Sequence, residues 1–392
     1  MDLSETAEMA AFRGEVRGFL AAHKAEFEAG AAKDLKAWQK LLIANGYAAR
    51  TIPKAYGGYG AEPDILKSRI IAEEFIAAAA PRGMAGQGIS MLVPTLLEVG
   101  SEEQKARWIE PTLNGDIIWC QGYSEPGAGS DLANLQTKAV EDGKDFIISG
   151  SKIWTSTAHL AQMMFCLVRT EPQAAKHEGI SYVLIPMDTP GIEVRPLKTM
   201  TGASEFNEVF FTDVRVPQDQ VVGGRGRGWF VANTTLKHER GMLGDPNAAE
   251  ARLNSLVHLM TTETVDGQRI VDNPIFRDRL MQLQGRVFAM KFNGLRLLTS
   301  QLTGEPAGIA GLIVKLQGCE LNHQIAALAI DALGELGVLY TDGPHLRAKG
   351  GWQRSYMFDL GLIIGGGTAQ IQKNIISERG LGMPREPKPA AA

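Results

Sequence analysis

The sequence predicts a multi-domain α+β protein. An N-terminal helical domain (residues 1–117) is followed by a small central β-domain of barrel or sandwich type (118–226) and a C-terminal helical domain (227–392). Three observations carry this. Apolar residues recur every three to four positions up to about residue 115, and again after Trp229. Between these stretches the period falls to two, in short β-branched or aromatic runs bounded by Gly, Pro, Asp or Asn. The run Gly223-Gly224-Arg225-Gly226-Arg227-Gly228 marks the second boundary, and its spacing, which is not G-x-G-x-x-G, reads as a hinge-like linker.

The elements follow in order. Met9, Phe12, Val16, Phe19 and Leu20 share one face of a first helix, and Leu35, Trp38, Leu41 and Leu42 one face of a second. Tyr56-Gly57-Gly58-Tyr59-Gly60 interrupts the pattern before a helix over 63–80. Gly100 closes a helix begun near Met91, and Ser101-Glu102-Glu103-Gln104 opens the next with acids in its first turn. Strands are expected at 146–148, 163–168, 181–185 and 208–211, with a hairpin turn at Asp142-Gly143. Residues 313–336 read as a long amphipathic helix whose Ala326, Ala327, Ala329 and Ala332 permit close packing, within the chain or between subunits. From Leu381 the chain is a Pro/Ala-rich tail.

Composition excludes several function classes. At 392 residues the chain can bury a large core, and 44% hydrophobic with 21% charged residues suits a soluble globular protein. A net charge of −4 without a basic block gives nucleic acid no electrostatic footing. No apolar run approaches the ~18 residues of a membrane span, and the first residues lack the pattern of a secretory leader. Cys120, Cys166 and Cys319 are far apart in apolar surroundings, which suits free thiols in a reducing cytoplasm. His238-Glu239-Arg240-Gly241-Met242 lacks the second His of a zinc helix, so no metal site is expected. Neither G-x-S-x-G nor a P-loop motif occurs.

The stretch 119–138, WCQGYSEPGAGSDLANLQTK, is the most informative. Small residues between Pro126 and Ser130-Asp131 let the backbone approach a bulky group, with φ > 0 accessible at the glycines. Ser124 and Ser130 add hydroxyls, and Asp131 suits a helix N-cap. Taken alone the stretch reads as a plain surface turn or as a loop that receives something flat and polar. About twenty residues on stands Gly150-Ser151-Lys152-Ile153-Trp154-Thr155-Ser156, a strand-like run ending in an aromatic and hydroxyls.

This pair, E-P-G-A-G-S-D followed by G-x-K-x-W-x-[ST], resembles the flavin-binding region of the acyl-CoA dehydrogenase family, and the likeness covers essentially the whole chain. It implies FAD as cofactor, a four-helix bundle as the last domain, and oxidation of an acyl-CoA to a 2-enoyl-CoA. That reaction needs a carboxylate for the α-proton, flavin N5 for the β-hydride and donors for the enolate oxygen. By resemblance the flavin meets Gln121, Tyr123, Ser124, Trp154, Thr155 and Ser156, while Gly129 and Ser130 line the pyrophosphate and acyl-CoA side. The other reading of Trp154 is a core aromatic closing the β-domain, but its Lys-Ile-Trp-Thr-Ser context favours the flavin. The late segment Gly365-Gly366-Gly367-Thr368-Ala369-Gln370-Ile371-Gln372 is similar to the family's E-G-T-x-Q-I-Q signature, which gives Thr368 and Gln370 to FAD.

Departures are as telling. Where many members carry a catalytic glutamate this chain has Gly366, which keeps a backbone N–H for the thioester oxygen but cannot take a proton. Some members place the base before an arginine on a helix of the third domain. Glu239, before Arg240, stands there and is the candidate base, or else an ordinary helix carboxylate; Arg240 would face substrate. Glu263-Thr264-Val265-Asp266-Gly267-Gln268-Arg269 and Asp331-Ala332-Leu333-Gly334-Glu335 replace segments that usually reach the FAD of a neighbouring subunit with Arg and amide groups, and acids there should weaken that contact. The resemblance further implies an electron-transfer flavoprotein as acceptor and a homotetramer or a heterotetramer with a paralogue. The alternatives are a member with oxidase or lyase-type flavin chemistry and a half-site subunit completed by a paralogous chain.

Overall fold

The computed structural model describes residues 5–28, 30–242, 244–385 and 387, with the side chains of Glu239, Arg240 and Met242 outside the description. The end of the expected tail, residues 388–392, also lies outside the described residues. Two compact units result: one runs through Leu197 and resumes over Ser204–His238, the other holds Lys198–Ala203 and the chain from Glu239.

In the first unit, helix α1 (Ala7–Ala22) starts where the Thr6 hydroxyl accepts the N–H of Met9, and it buries Val16 and Leu20. The two-residue strands β1 (Phe27–Glu28) and β2 (Ala31–Ala32) pair antiparallel. Helices α2 (Leu35–Ala44) and α3 (Ile65–Ala77) are each capped by an aspartate, Asp34 and Asp64. Trp38, Leu42, Ile70 and Phe75 fill the core between them. A π-turn at Gly88–Leu92 leads into α4 (Val93–Val99), and a Ser101/Gln104 capping box opens α5 (Glu102–Leu113).

The β-domain holds β3 (Trp119–Gly122), β4 (Lys138–Asp142), β5 (Asp145–Ser156), β6 (Met163–Arg169), β7 (Ile180–Pro186), β8 (Ile192–Leu197), β9 (Phe206–Pro217) and β10 (Val221–Val222). They form one sheet in the order β10-β7-β6-β4-β5-β9-β8, with β3 parallel to β6. β4 and β5 join through Gly143 at φ +64°, the expected hairpin. The sheet is buried on both faces around β6. Phe165 and Leu167 pack with α4 and α5 residues such as Leu96 and Trp108, while Met164, Cys166 and Val168 face Phe146, Val183 and Val214. The glycine run before α6 (Gly228–Met242) is pinned rather than hinge-like. Arg225 pairs with Glu171 and with Glu141 (2.5 Å), and a Cβ at Gly228 would stand 2.6 Å from the Ser181 Cα.

In the second unit α7 (Pro246–Thr262), α8 (Pro274–Thr303), α9 (Ile309–Leu333) and α10 (Gly351–Ile364) form the bundle, with a short β11 (Thr264–Val265) and β12 (Gln268–Arg269) after α7 and α11 (Ala369–Ile375) after α10. Helix α9 is amphipathic as expected: Gln317, Glu320, Gln324 and Asp331 share a half-buried to exposed stripe, while Leu316, Cys319, Leu321, Ile325, Leu328 and Ala332 are buried where α7, α8 and α10 pack on it. Ala326, Ala329 and Ala332 pack inside this core. No helix among the described residues is long and apolar enough to cross a membrane.

Candidate functional site

The loop after β3 is closed by two backbone bonds between Glu125 and Ala128, each 3.0 Å. The Glu125 carboxylate accepts the N–H groups of Gln136 (2.6 Å) and Thr137 (2.9 Å) and the Lys152 ammonium (2.8 Å). Lys152 also donates to the carbonyl of Tyr123 (3.2 Å), and Ile153 N–H to that of Ser124 (2.9 Å). Loop and β5 are thus stitched together through a buried ion pair, Lys152 being 0% and Glu125 8% exposed. Burial alone would raise the Glu125 carboxyl; the Lys152 charge and the donors outweigh it and hold it below its ordinary value.

Two expectations need correction here. Neither Gly127 nor Gly129 takes a positive φ; what the glycines provide is open space where a side chain would stand. Asp131 caps nothing with its side chain and instead pairs with Lys176 at 2.6 Å. The left-handed residue of the site is Trp154, at φ +61°, where β5 breaks register with β9 between Lys152 and Thr155. That kink leaves the Trp154 ring 58% exposed, edge-on to Phe206, so it is no core aromatic. The next carbonyl, of Thr155, is held by Asn207 Nδ2 (2.9 Å), whose Oδ1 meets His159 Nδ1 (3.1 Å).

Gln121, Ser124 and Ser156 are half-buried around this kink, while Gly129 and Ser130 are exposed on the loop. Tyr123 turns its ring into the core, edge-on to Phe165 and Tyr182, so only its backbone faces the site. The Thr155 hydroxyl is buried without a hydrogen-bond partner among the described residues. An exposed aromatic, an orphaned buried hydroxyl and empty space beside two glycines fit a flat polar group such as FAD.

Helix α6 carries Glu239 and Arg240, whose side chains lie outside the described residues. One turn earlier Thr235 is anchored. Its hydroxyl meets that of Thr95 (3.0 Å) and donates towards Tyr182 Oη (3.5 Å), and Thr95 donates to the Met91 carbonyl (2.7 Å) in the π-turn. His238 Nε2 lies 2.9 Å from Glu98.

In the second unit Gly366 and Gly367 take φ +64° and +95°, conformations suited to glycine, ahead of the Thr368 hydroxyl that caps α11. Their carbonyls accept from Gln372 Nε2 (3.1 Å) and Lys315 Nζ (2.5 Å), respectively. Gln370 is exposed on the first turn of α11. Sequence reasoning passed over Lys315, although a lysine inside Ile-Val-Lys-Leu was a signal. The acids at the departing positions pair within the unit, Glu263 with Arg347 (2.8 Å) and Asp331 with Arg279 (2.7 Å).

The profile of the acyl-CoA dehydrogenase N-terminal domain matches residues 6–116, that of the middle domain 120–214 and that of the C-terminal domain 226–381. Acyl-CoA dehydrogenase IpdE1 of Mycobacterium tuberculosis is 38% identical over 96% of this chain and 98% of its own. Human mitochondrial short-chain specific acyl-CoA dehydrogenase is 29% identical over 85% of this chain and 79% of its own. Among solved structures, the Tcur3481-Tcur3483 steroid ACAD superposes with TM-score 0.81 at 29% identity, covering 98% of this chain and 100% of that one. The ChsE4-ChsE5 complex of M. tuberculosis gives 0.80 at 31%, again over 98% and 100%. The chain belongs to the acyl-CoA dehydrogenase family and is an FAD-dependent flavoprotein oxidoreductase acting on acyl-CoA.

Proposed function

We propose that the chain dehydrogenates an acyl-CoA thioester between Cα and Cβ to give a 2-enoyl-CoA, with Glu239 taking the α-proton. The observation that carries this reading is the loop Gly365–Thr368. It has a positive-φ turn at Gly366 and Gly367 and a capping Thr368 but no carboxylate at residue 366, so the base is sought elsewhere. Glu239 stands directly before Arg240, one turn after the anchored Thr235 of α6. FAD, when bound, supplies the acceptor for the hydride that leaves Cβ. The residues proposed to contact it are Gln121, Ser124, Trp154, Thr155, Ser156, the Tyr123 backbone, Thr368 and Gln370. Gly129, Ser130 and Arg240 would meet its pyrophosphate side and the CoA moiety, and the Gly366 N–H the thioester oxygen.

The domain boundaries that go with this reading are 1–117, 118–226 and 227–392. A branched or ring-bearing acyl group is the favoured substrate: moving the base from residue 366 to α6 reshapes the Cα–Cβ end of the pocket, and one solved relative is named a steroid ACAD. Electrons would leave to an electron-transfer flavoprotein, and a cytoplasmic setting suits three free cysteines. A paralogous partner chain is favoured by the acids at Glu263 and Asp331, which replace groups expected to reach a neighbour's diphosphate, and by solved relatives that contain two chain types.

The test is Glu239→Gln under anaerobic addition of butyryl-, octanoyl-, isobutyryl- and cyclohexanecarbonyl-CoA. The variant should keep its yellow FAD absorbance yet lose bleaching by ~10³-fold or more in rate, as loss of a general base implies. Bleaching at the wild-type rate would move the base to another residue, and butyryl-CoA as the best substrate would overturn the branched or ring-bearing expectation.

A further inference from the structure

Lys315 projects from α9 with the residue only 4% exposed. A buried ammonium is costly unless its protons are bonded. Two of its bonds go to backbone: the Ile363 carbonyl in the last turn of α10 (3.0 Å) and the Gly367 carbonyl (2.5 Å). Gln372, also 4% exposed, draws in the Gly366 carbonyl from α11. A cation near the C-terminal carbonyls of α10 is electrostatically favoured.

The direction of these bonds has a chemical meaning. A trans peptide points its C=O and the following N–H to opposite sides. With the Gly366 carbonyl bonded to Gln372 and that of Gly367 to Lys315, the N–H groups of Gly367 and Thr368 are turned away from those two side chains. The positive φ angles at Gly366 and Gly367 allow this arrangement. Both carbonyls are therefore satisfied from within the bundle, and the two peptides that follow Gly366 are fixed. Peptide dipoles fixed in this way stabilise negative charge developing on an oxygen, and they do so without reorganising during reaction.

We propose that Lys315 is a positioning residue for the acyl thioester: through the Gly367 carbonyl it fixes the backbone directly after Gly366, and with it the aim of the Gly366 N–H at the thioester oxygen. The proposal rests on the reading of Gly366 as an enolate-stabilising position. Lys315 touches neither substrate nor cofactor; it acts through the loop.

The experiment uses FAD-loaded enzyme with Lys315→Met, Lys315→Arg and Gln372→Leu. The probes are the 2-enoyl-CoA of whichever of the four panel acids bleaches the wild type best, and the corresponding thioether, which has CH2 in place of the carbonyl. Calorimetric affinities are measured for both, with kcat, KM and FAD per chain. Wild type should prefer the thioester. Lys315→Met should lose that preference ~10-fold and kcat by ~10-fold or more, with the thioether affinity and FAD content kept within about twofold. Lys315→Arg, which still reaches two carbonyls with N–H donors, should restore most of the preference.

An unchanged preference in Lys315→Met, or a loss confined to FAD content, overturns the proposal while leaving Gly366 its role. No thioester preference in wild type, or no bleaching by any panel member, overturns the reading of the loop and the proposal with it. If Lys315→Met does not fold, Gln372→Leu decides: it should lower the preference in the same direction, and no change refutes the fixed backbone.

Discussion

Glu125 and Lys152 stay charged inside the β-domain only because each bonds the other and the backbone groups that define the flavin-side loop. Removing one partner leaves the other charge stranded, at a cost of ~3–5 kcal/mol in such pairs. Lys152→Met should therefore destabilise the chain by that order in urea unfolding, and the double variant Glu125→Gln/Lys152→Met should recover much of the loss. The pH dependence has a fixed sign. The folded carboxyl titrates below its ordinary value of 4.5, so its contribution is fully present above about that pH and is lost as pH falls through the lower, folded value. Lys152→Met should flatten this acid limb. At this scale the sequence was legible where residue types recur in a motif, as in Glu-Pro-Gly-Ala-Gly-Ser-Asp and Lys-Ile-Trp-Thr-Ser. It was illegible where function is a backbone angle: nothing in the letters shows Trp154 in the left-handed region, and glycine content suggested positive φ at Gly127 and Gly129, which have none.

Helices α1 and α3 meet through the carboxylate of Glu74, which is 6% exposed and bonds Arg13 Nη1 (2.7 Å) and Arg17 Nε (2.7 Å). The two guanidiniums, Arg17 foremost, hold this carboxyl below its usual range. Glu74→Ala leaves Arg13 without its most buried partner and should cost about 2–4 kcal/mol. Hydrogen exchange of α1 and α3 should then speed up more than that of β6, and equal acceleration would refute a local clamp. Element-level reading succeeded where one face is wet, as in α1 and α2, whose apolar residues keep a helical period. It also held for β6, an apolar run of strand length covered by residues such as Leu96 and Trp108 on one face and Phe146, Val183 and Val214 on the other, and for α9, whose Gln317, Glu320, Gln324 and Asp331 keep one stripe wetter. It missed β8, a six-residue edge strand in which Glu193, Arg195 and Pro196 dilute the apolar residues.

Each unit has its own core, the second built mainly on α7–α10. Along α8, Met281, Phe288 and Phe292 are 49%, 44% and 63% exposed, and Ile364 at the end of α10 is 65% exposed. Apolar side chains grouped in this way suit burial against another chain. Produced by itself, the chain should carry well under one FAD; co-produced with a paralogous acyl-CoA dehydrogenase chain it should sediment as a mixed oligomer with raised FAD per complex. Full occupancy in the chain alone would refute the half-site reading. Association leaves no mark in a single sequence except as exposed apolar residues, which is why partner choice was less legible than family.

The three cysteines give the molecule a clock of its own. Cys120 and Cys166 lie in the sheet and Cys319 in α9, all buried and unpaired, and burial pushes their thiols up, that of Cys166 to about 11. An alkylating reagent meets almost no thiolate and no access until the surrounding structure opens. The order in which the sheet thiols and the bundle thiol acquire label, read by peptide mass, is then the order in which each unit opens.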